Sequence, residues 1–167
     1  MNSTFIALIP KNLKSKYPQG FWPIALCNVI YKIIATLVVK RLKPLFPSLI
    51  SPEKTWFIEG RKILDRFIIS QELVDSLKVQ RLPGMMIKLD LSKSYDRLIW
   101  DYLSGILKAY GFSQRWINWI LTMILSPVFY FMLNETPTLM FNTTPGLRQG
   151  DPISPFLFII TVKALDR

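Results

Sequence analysis

The sequence predicts an α+β fold, helix-rich with a small, mostly antiparallel sheet, and three observations support this. Segments with apolar residues at helical spacing intermix with short apolar runs of strand length. Their order shows no regular βαβ alternation, which excludes a simple parallel α/β architecture. Half of the 167 residues are hydrophobic and 13% are aromatic, enough for a core and too apolar for a disordered chain.

Each element follows from local chemistry. Phe5 to Ile9 is a short apolar run ended by Pro10 and reads as a strand; Lys11 to Phe21 reads as a polar, basic loop. From Ile30 the apolar residues fall at 30, 33, 34, 37, 38 and 42, the spacing of one helical face, with Lys32, Lys40 and Lys43 off that stripe. Pro44 and Pro47 end this helix. A second helix is predicted over Ile63 to Lys78, with Ile63, Phe67, Val74 and Leu77 on its inner face. Pro83-Gly84 then turns the chain into a strand over Met85 to Leu89.

Leu98 to Tyr110 is predicted helical, with Gly111 positioned as the residue just past its C-terminus. Ser113 suits the N-cap of a further helix reaching about Leu125. Two strands are expected next, Val128 to Leu133 and about Leu139 to Asn142, joined by a turn containing Pro137. Thr144-Pro145-Gly146 turns into Leu147 to Pro152, and a last helix starts near Ser154-Pro155. The sequence stops inside that helix, as expected of an incomplete domain. No repeat or interdomain linker is visible.

Composition narrows the chemistry. Lys plus Arg number 21 against 11 acidic residues, a net charge of +10. The excess is concentrated in residues 1–80, with 12 basic and 5 acidic side chains. Such a balance points to a polyanionic partner, nucleic acid first and an anionic membrane surface second. The single cysteine, Cys27, excludes an internal disulfide framework, and the absence of histidine removes imidazole catalysis and ligation. Any metal must then be an oxygen-bound ion such as Mg²⁺ or Mn²⁺.

Trp116 to Asn134 carries no charge over 19 positions, close to a bilayer crossing, so a small membrane protein is one alternative. Ser126-Pro127 and Asn118 interrupt the run, which better fits a buried helix followed by a strand, and no stable membrane association is expected. The first residues lack a basic n-region and cleavage site, so an intracellular location is expected.

Residues 87–96 are the most informative stretch. The apolar run ending at Leu89 delivers Asp90 at a strand end, and Tyr95 and Asp96 follow on the turn into the next helix. A carboxylate there can hold a divalent metal against a phosphate, or it can simply cap a helix; these residues alone leave both open.

Four segments resolve part of that ambiguity. They are Leu8 to Lys11, Phe21-Trp22-Pro23-Ile24-Ala25-Leu26-Cys27-Asn28-Val29-Ile30-Tyr31-Lys32-Ile33, Lys88-Leu89-Asp90-Leu91-Ser92-Lys93-Ser94-Tyr95-Asp96, and Gly146-Leu147-Arg148-Gln149-Gly150-Asp151-Pro152-Ile153-Ser154-Pro155. In this order and spacing they resemble the reverse transcriptase domain of non-LTR (LINE-type) retrotransposons, particularly the plant elements, across essentially the whole chain.

The resemblance implies a partial polymerase right hand, with fingers over about 1–84 and an incomplete palm over about 85–167. It also implies RNA template, DNA primer and deoxynucleotide triphosphates as partners and Mg²⁺ or Mn²⁺ as cofactor. Asp90 matches the first metal-binding aspartate, with the Leu91 carbonyl as an added ligand. Tyr95 matches the aromatic residue under the incoming sugar. Gln149 and Gly150 match the loop contacting nucleotide and template, and Arg148 adds a positive charge there. Lys11, Lys32 and Arg61 fall among basic positions meeting template or triphosphate. Asp96 and Asp151 are expected to be structural.

The sequence also departs from the family pattern. No aromatic-x-Asp-Asp motif follows Pro155, and no adjacent Asp pair occurs anywhere in the chain. Trp22 stands where the family usually has Arg, and Lys54, Trp56 and Glu59 are atypical. The expectation is a fragment of an RNA-directed DNA polymerase, inactive by itself; the alternative is a non-catalytic, basic nucleic-acid-binding remnant.

Overall fold

A computed structural model describes residues 2–14, 16–50, 63–81, 83–85, 93–133 and 136–164. Its strands are β1 (Asn2–Pro10), β2 (Phe21–Leu26), β3 (Pro127–Leu133) and β4 (Thr136–Pro137). Its helices are α1 (Val29–Leu42), α2 (Phe46–Leu49), α3 (Ile63–Val79), α4 (Trp100–Ala109), α5 (Gln114–Leu125) and α6 (Ser154–Ala164). The predicted strand over 85–89 lies mostly outside the described residues, as do Arg61, Asp90 and Leu91.

Local signals placed several boundaries well. Asn28 caps α1 by accepting from the Tyr31 N–H at 2.7 Å, and Ser113 caps α5 through the Trp116 N–H at 3.4 Å. Gly111 has φ +82°. Its N–H donates to Lys108 O, while that of Phe112 reaches Leu107 O, which closes α4 as a Schellman motif. Past Leu42 the proline pair does not straighten the chain. Lys43–Leu45 forms a 3₁₀ turn and α2 follows, because Pro at the start of a turn has no N–H that needs a partner.

The four strands run in the order β2-β1-β3-β4. β1 pairs antiparallel with β2, from Phe5 opposite Leu26 to Pro10 opposite Phe21. It pairs parallel with β3, from Asn2 opposite Pro127 to Ile6 opposite Phe131, so the sheet is mixed. β2 falls within residues to which the sequence assigned no element. Pro23 argues against a central strand, and β2 occupies the sheet edge, where a missing N–H is tolerated. The strand expected over 139–142 reduces to a bridge between Phe141 and Phe129, with stacked rings 5.8 Å apart; β4 lies earlier in the chain.

The main core joins α1, α2, α4, α5 and α6 around Leu42, Leu103, Leu107, Ile117, Ile120, Leu157 and Ile160. α6 buries residues on most of its circumference, as expected of a helix that is apolar nearly all round. A smaller cluster of Ala25, Cys27, Tyr31 and Ala35 packs with Met123. It turns most of the predicted stripe of α1 outward. The buried face is Tyr31, Ala35, Val39 and Leu42; of the predicted stripe, Leu42 is buried and Val38 half-buried, while Ile30, Ile33, Ile34 and Leu37 are 48–72% exposed. Ala35, at 0% exposure, lets the helix approach closely, and the Tyr31 hydroxyl finds buried partners on that side. The described part of the charge-free run, residues 116–133, is split between α5 and β3, and among the described residues no helix is long and apolar enough to cross a membrane.

Candidate functional site

The loop from Gly146 to Asp151 is held at both ends by backbone contacts. At its start, the Gly146 N–H donates to Leu98 O at 2.8 Å, and the Leu147 N–H donates to Tyr95 O at 2.7 Å. The Trp100 indole N–H donates to Gly146 O at 2.9 Å. Gly146 has φ +101°, and a Cβ there would lie 3.0 Å from Asp96 O, so glycine is required for this approach.

At its other end the loop abuts β2. The Ala25 N–H donates to Gln149 O at 2.7 Å. Gly150 has φ +99°, and a Cβ there would stand 2.8 Å from Ala25 O. Gln149 is half-buried and Gly150 is exposed. The turn after residue 92 and strand β2 are therefore brought to the two ends of one loop, although they are far apart in sequence. A pocket of about 380 Å³ opens alongside, with Ile6, Pro23, Asp96, Asn142, Arg148 and Gln149 among its lining residues.

Tyr95 sits half-buried at the start of this arrangement. Its ring packs 4.8 Å from that of Phe158, and burial pushes its phenol above the usual range. Asp96 is exposed, with its backbone against Gly146.

Arg148 occupies a different setting from a solvent-facing positive charge. Its side chain is 7% exposed and meets Asp151, 1% exposed, at 2.8 Å. The guanidinium donates to the Tyr31 hydroxyl and to Met123 O at 2.9 Å, and reaches Cys27 Sγ at 3.7 Å. Its Cζ lies 4.3 Å from the Tyr31 ring centroid, a cation–π contact. Tyr31 in turn donates to Asp151 Oδ2 at 2.5 Å, and Asp151 Oδ1 accepts the Ile153 N–H at 3.1 Å. Burial first, and then the Asp151 charge, raise the Tyr31 phenol far above its usual range. Burial likewise raises the Cys27 thiol.

Tyr31 received no role from the sequence, and Asp151 was expected to be only structural. The available signal was an Arg and an Asp three residues apart just ahead of a mostly apolar helix, since a buried charge needs a partner. Lys11 and Lys32 are exposed, and the Lys32 charge acts on the Cys27 thiol against the effect of burial. Lys11 Nζ donates to Gln19 O at 2.9 Å within the exposed β1–β2 loop that also carries Lys14 and Lys16; Lys32 is on α1. Among the described residues no group of three or more Asp, Glu, His or Cys is placed to hold a metal ion.

Comparison with known proteins agrees with the motif reading. A family model described as reverse transcriptase (RNA-dependent DNA polymerase) matches residues 9–167. The chain is 28% identical over 158 residues to the transposon TX1 uncharacterized 149 kDa protein of Xenopus laevis, covering 95% of this chain and 12% of that protein. It is 25% identical over 159 residues to the Pol polyprotein of retrotransposable element R2DM of Drosophila melanogaster, covering 95% of this chain and 15% of that one. For the R2 element Pol polyprotein of Popillia japonica, identity is 22% over 152 residues, covering 90% and 21%. The chain thus spans a small part of these relatives. All three come from animals, so the likeness to plant elements rests on the sequence motifs alone.

Proposed function

Because this chain belongs to the reverse transcriptase (RNA-dependent DNA polymerase) family, we propose that it forms the fingers and the first part of the palm of a non-LTR retrotransposon polymerase. The observation that carries this reading is the clamped loop, which brings Gln149 and Gly150 between the Tyr95 turn and β2 beside an open pocket. Gln149 and Gly150 would contact the incoming nucleotide and template, and Tyr95 would pack under the sugar. Gly150, lacking a side chain, leaves the backbone accessible there. Phosphate contacts from Lys11, Lys32 and Arg61 would hold RNA template and DNA primer without selecting sequence. The motif likeness to plant elements supports an origin in that group.

Members of this family generally use divalent metal ions, which stabilise the attacking and leaving oxygens when bound. Asp90 would supply one carboxylate and Leu91 its carbonyl. A metal pair needs more carboxylate oxygens than that, and no adjacent Asp pair exists in the sequence. The donors of this chain do not fit a complete pair, so phosphoryl transfer is not assigned to the chain by itself.

Primer extension on an RNA template with Mg²⁺ or Mn²⁺ tests the second point: no product is expected, and robust Asp90-dependent synthesis would refute it. Titration with dTTP and Mg²⁺ tests the first, with weaker binding expected for Gln149→Ala; equal affinity in wild type and variant would reject the loop's role.

A second reading, nucleic-acid binding without catalysis, is favoured by the exposed lysines at 11, 14, 16 and 32. Affinity for an RNA–DNA duplex should then fall linearly with salt on a log–log scale. Salt-independent binding would dismiss it.

A further inference from the structure

We propose that Tyr31, Arg148 and Asp151 form a buried latch that sets the position of Gln149 and Gly150, with Tyr31 as its positioning residue. The idea rests on the reading that this loop faces the nucleotide. Residues 148 and 151 flank the Gln149–Gly150 pair, and both side chains turn into the protein. Their anchors come from elsewhere in the chain: Tyr31 on α1, Cys27 just before α1, and Met123 on α5. Gln149 O adds a further attachment, to the Ala25 N–H. The Gln149–Gly150 pair is therefore held from both sides and in its own backbone.

The Tyr31 hydroxyl does two jobs at one point. It accepts from the Arg148 guanidinium and donates to Asp151 Oδ2. Phenylalanine would keep the ring under the guanidinium but leave both partners short of a hydrogen bond in a buried site. Breaking one member of a buried ionic network is costly, whereas an intact one adds little net stability over apolar packing. What the intact network provides is a defined placement of the loop, and through α1 and α5 that placement depends on how the fingers-like and palm-like parts meet.

The test uses the complete 167-residue chain and limited trypsin digestion read by mass spectrometry. Arg148 is buried in the latch, whereas Lys108 on α4 is exposed and serves as internal reference. Tyr31→Phe is expected to accelerate cleavage after Arg148 about tenfold, with cleavage after Lys108 unchanged. Asp151→Asn keeps the shape of the site and is expected to act in the same direction, so the result does not hang on one variant. Unchanged cleavage after Arg148 in both variants would overturn the latch.

Affinity for dTTP in the presence of Mg²⁺ separates positioning from general stability. Tyr31→Phe should weaken it about tenfold, and in a Gln149→Ala background it should cause no further loss. Full additivity, or unchanged affinity despite faster cleavage, would overturn the positioning role. If the wild type binds no dTTP, the nucleotide-loop reading and the positioning role both fail, and the digestion result alone decides whether the latch exists.

Discussion

Replacing Gly150 by alanine should damage the loop far more than its exposed position suggests. The backbone there has φ +99°, a region in which a residue with a Cβ is strained by about 1–2 kcal/mol. The new methyl would stand 2.8 Å from Ala25 O and 3.2 Å from Ile24 Cγ2. Both neighbours belong to β2, and the nearer contact is backbone, which cannot rotate aside. Relief requires the loop and β2 to separate, stretching the 2.7 Å bond from the Ala25 N–H to Gln149 O. Losing that bond costs about another 1 kcal/mol. The expected destabilisation is therefore about 2–3 kcal/mol, or roughly 4–12 °C in Tm for a chain of this size. Gly105→Ala is the control. Gly105 lies exposed within α4 with nothing near its would-be Cβ, so alanine should stabilise by about 0.5–1 kcal/mol. Thermal and urea unfolding followed by circular dichroism measure both. A neutral Gly150→Ala, or shifts of the same sign in the two variants, would refute the reasoning.

Three further outcomes follow from the packing and electrostatics. Leu157→Ala, at a position with 0% exposure in the main core, should cost about 2–5 kcal/mol in urea unfolding. On α1, Ala35→Leu should cost about 1–3 kcal/mol by overpacking, whereas Ile33→Lys on the exposed stripe should change stability by no more than about 0.5 kcal/mol; the reverse ranking would mean that α1 is rotated. Tyr31 is raised from its usual 10.0 in the folded state, so its contribution is fully present below about pH 10 and is lost above it, as the unfolded chain releases the proton first. Tyr31→Phe should flatten the alkaline fall of the unfolding midpoint, and an unchanged slope would count against the buried phenol.

How much could be read in advance depended on the range of the interaction. The Ser113 cap, the Gly111 terminus and the strand after Pro127 are decided within a few residues, by the hydrogen bonds and φ angles those residues permit. The α1 helix was legible as a helix but not in its orientation. Periodicity identifies apolar faces, whereas which face is buried depends on partners from distant segments, here Asp151, Arg148 and Met123. β2 was invisible because its proline lowers local strand propensity, and pairing with β1 decides the outcome.

The sequence by itself determined the family, the basic balance, the absence of an Asp-Asp pair and the candidate residues Asp90, Tyr95, Gln149 and Gly150. These are carried by residue identity and order, which need no coordinates. Only the tertiary structure decided that Gly146 and Gly150 meet backbone from two segments far apart in sequence, at Asp96 and at Ala25, and that the charge of Arg148 is met by Asp151 and the Tyr31 hydroxyl. A guanidinium in a loop looks the same in sequence whether it faces solvent or core. Its burial depends on a carboxylate three residues later and a phenol 117 positions earlier, which meet it there.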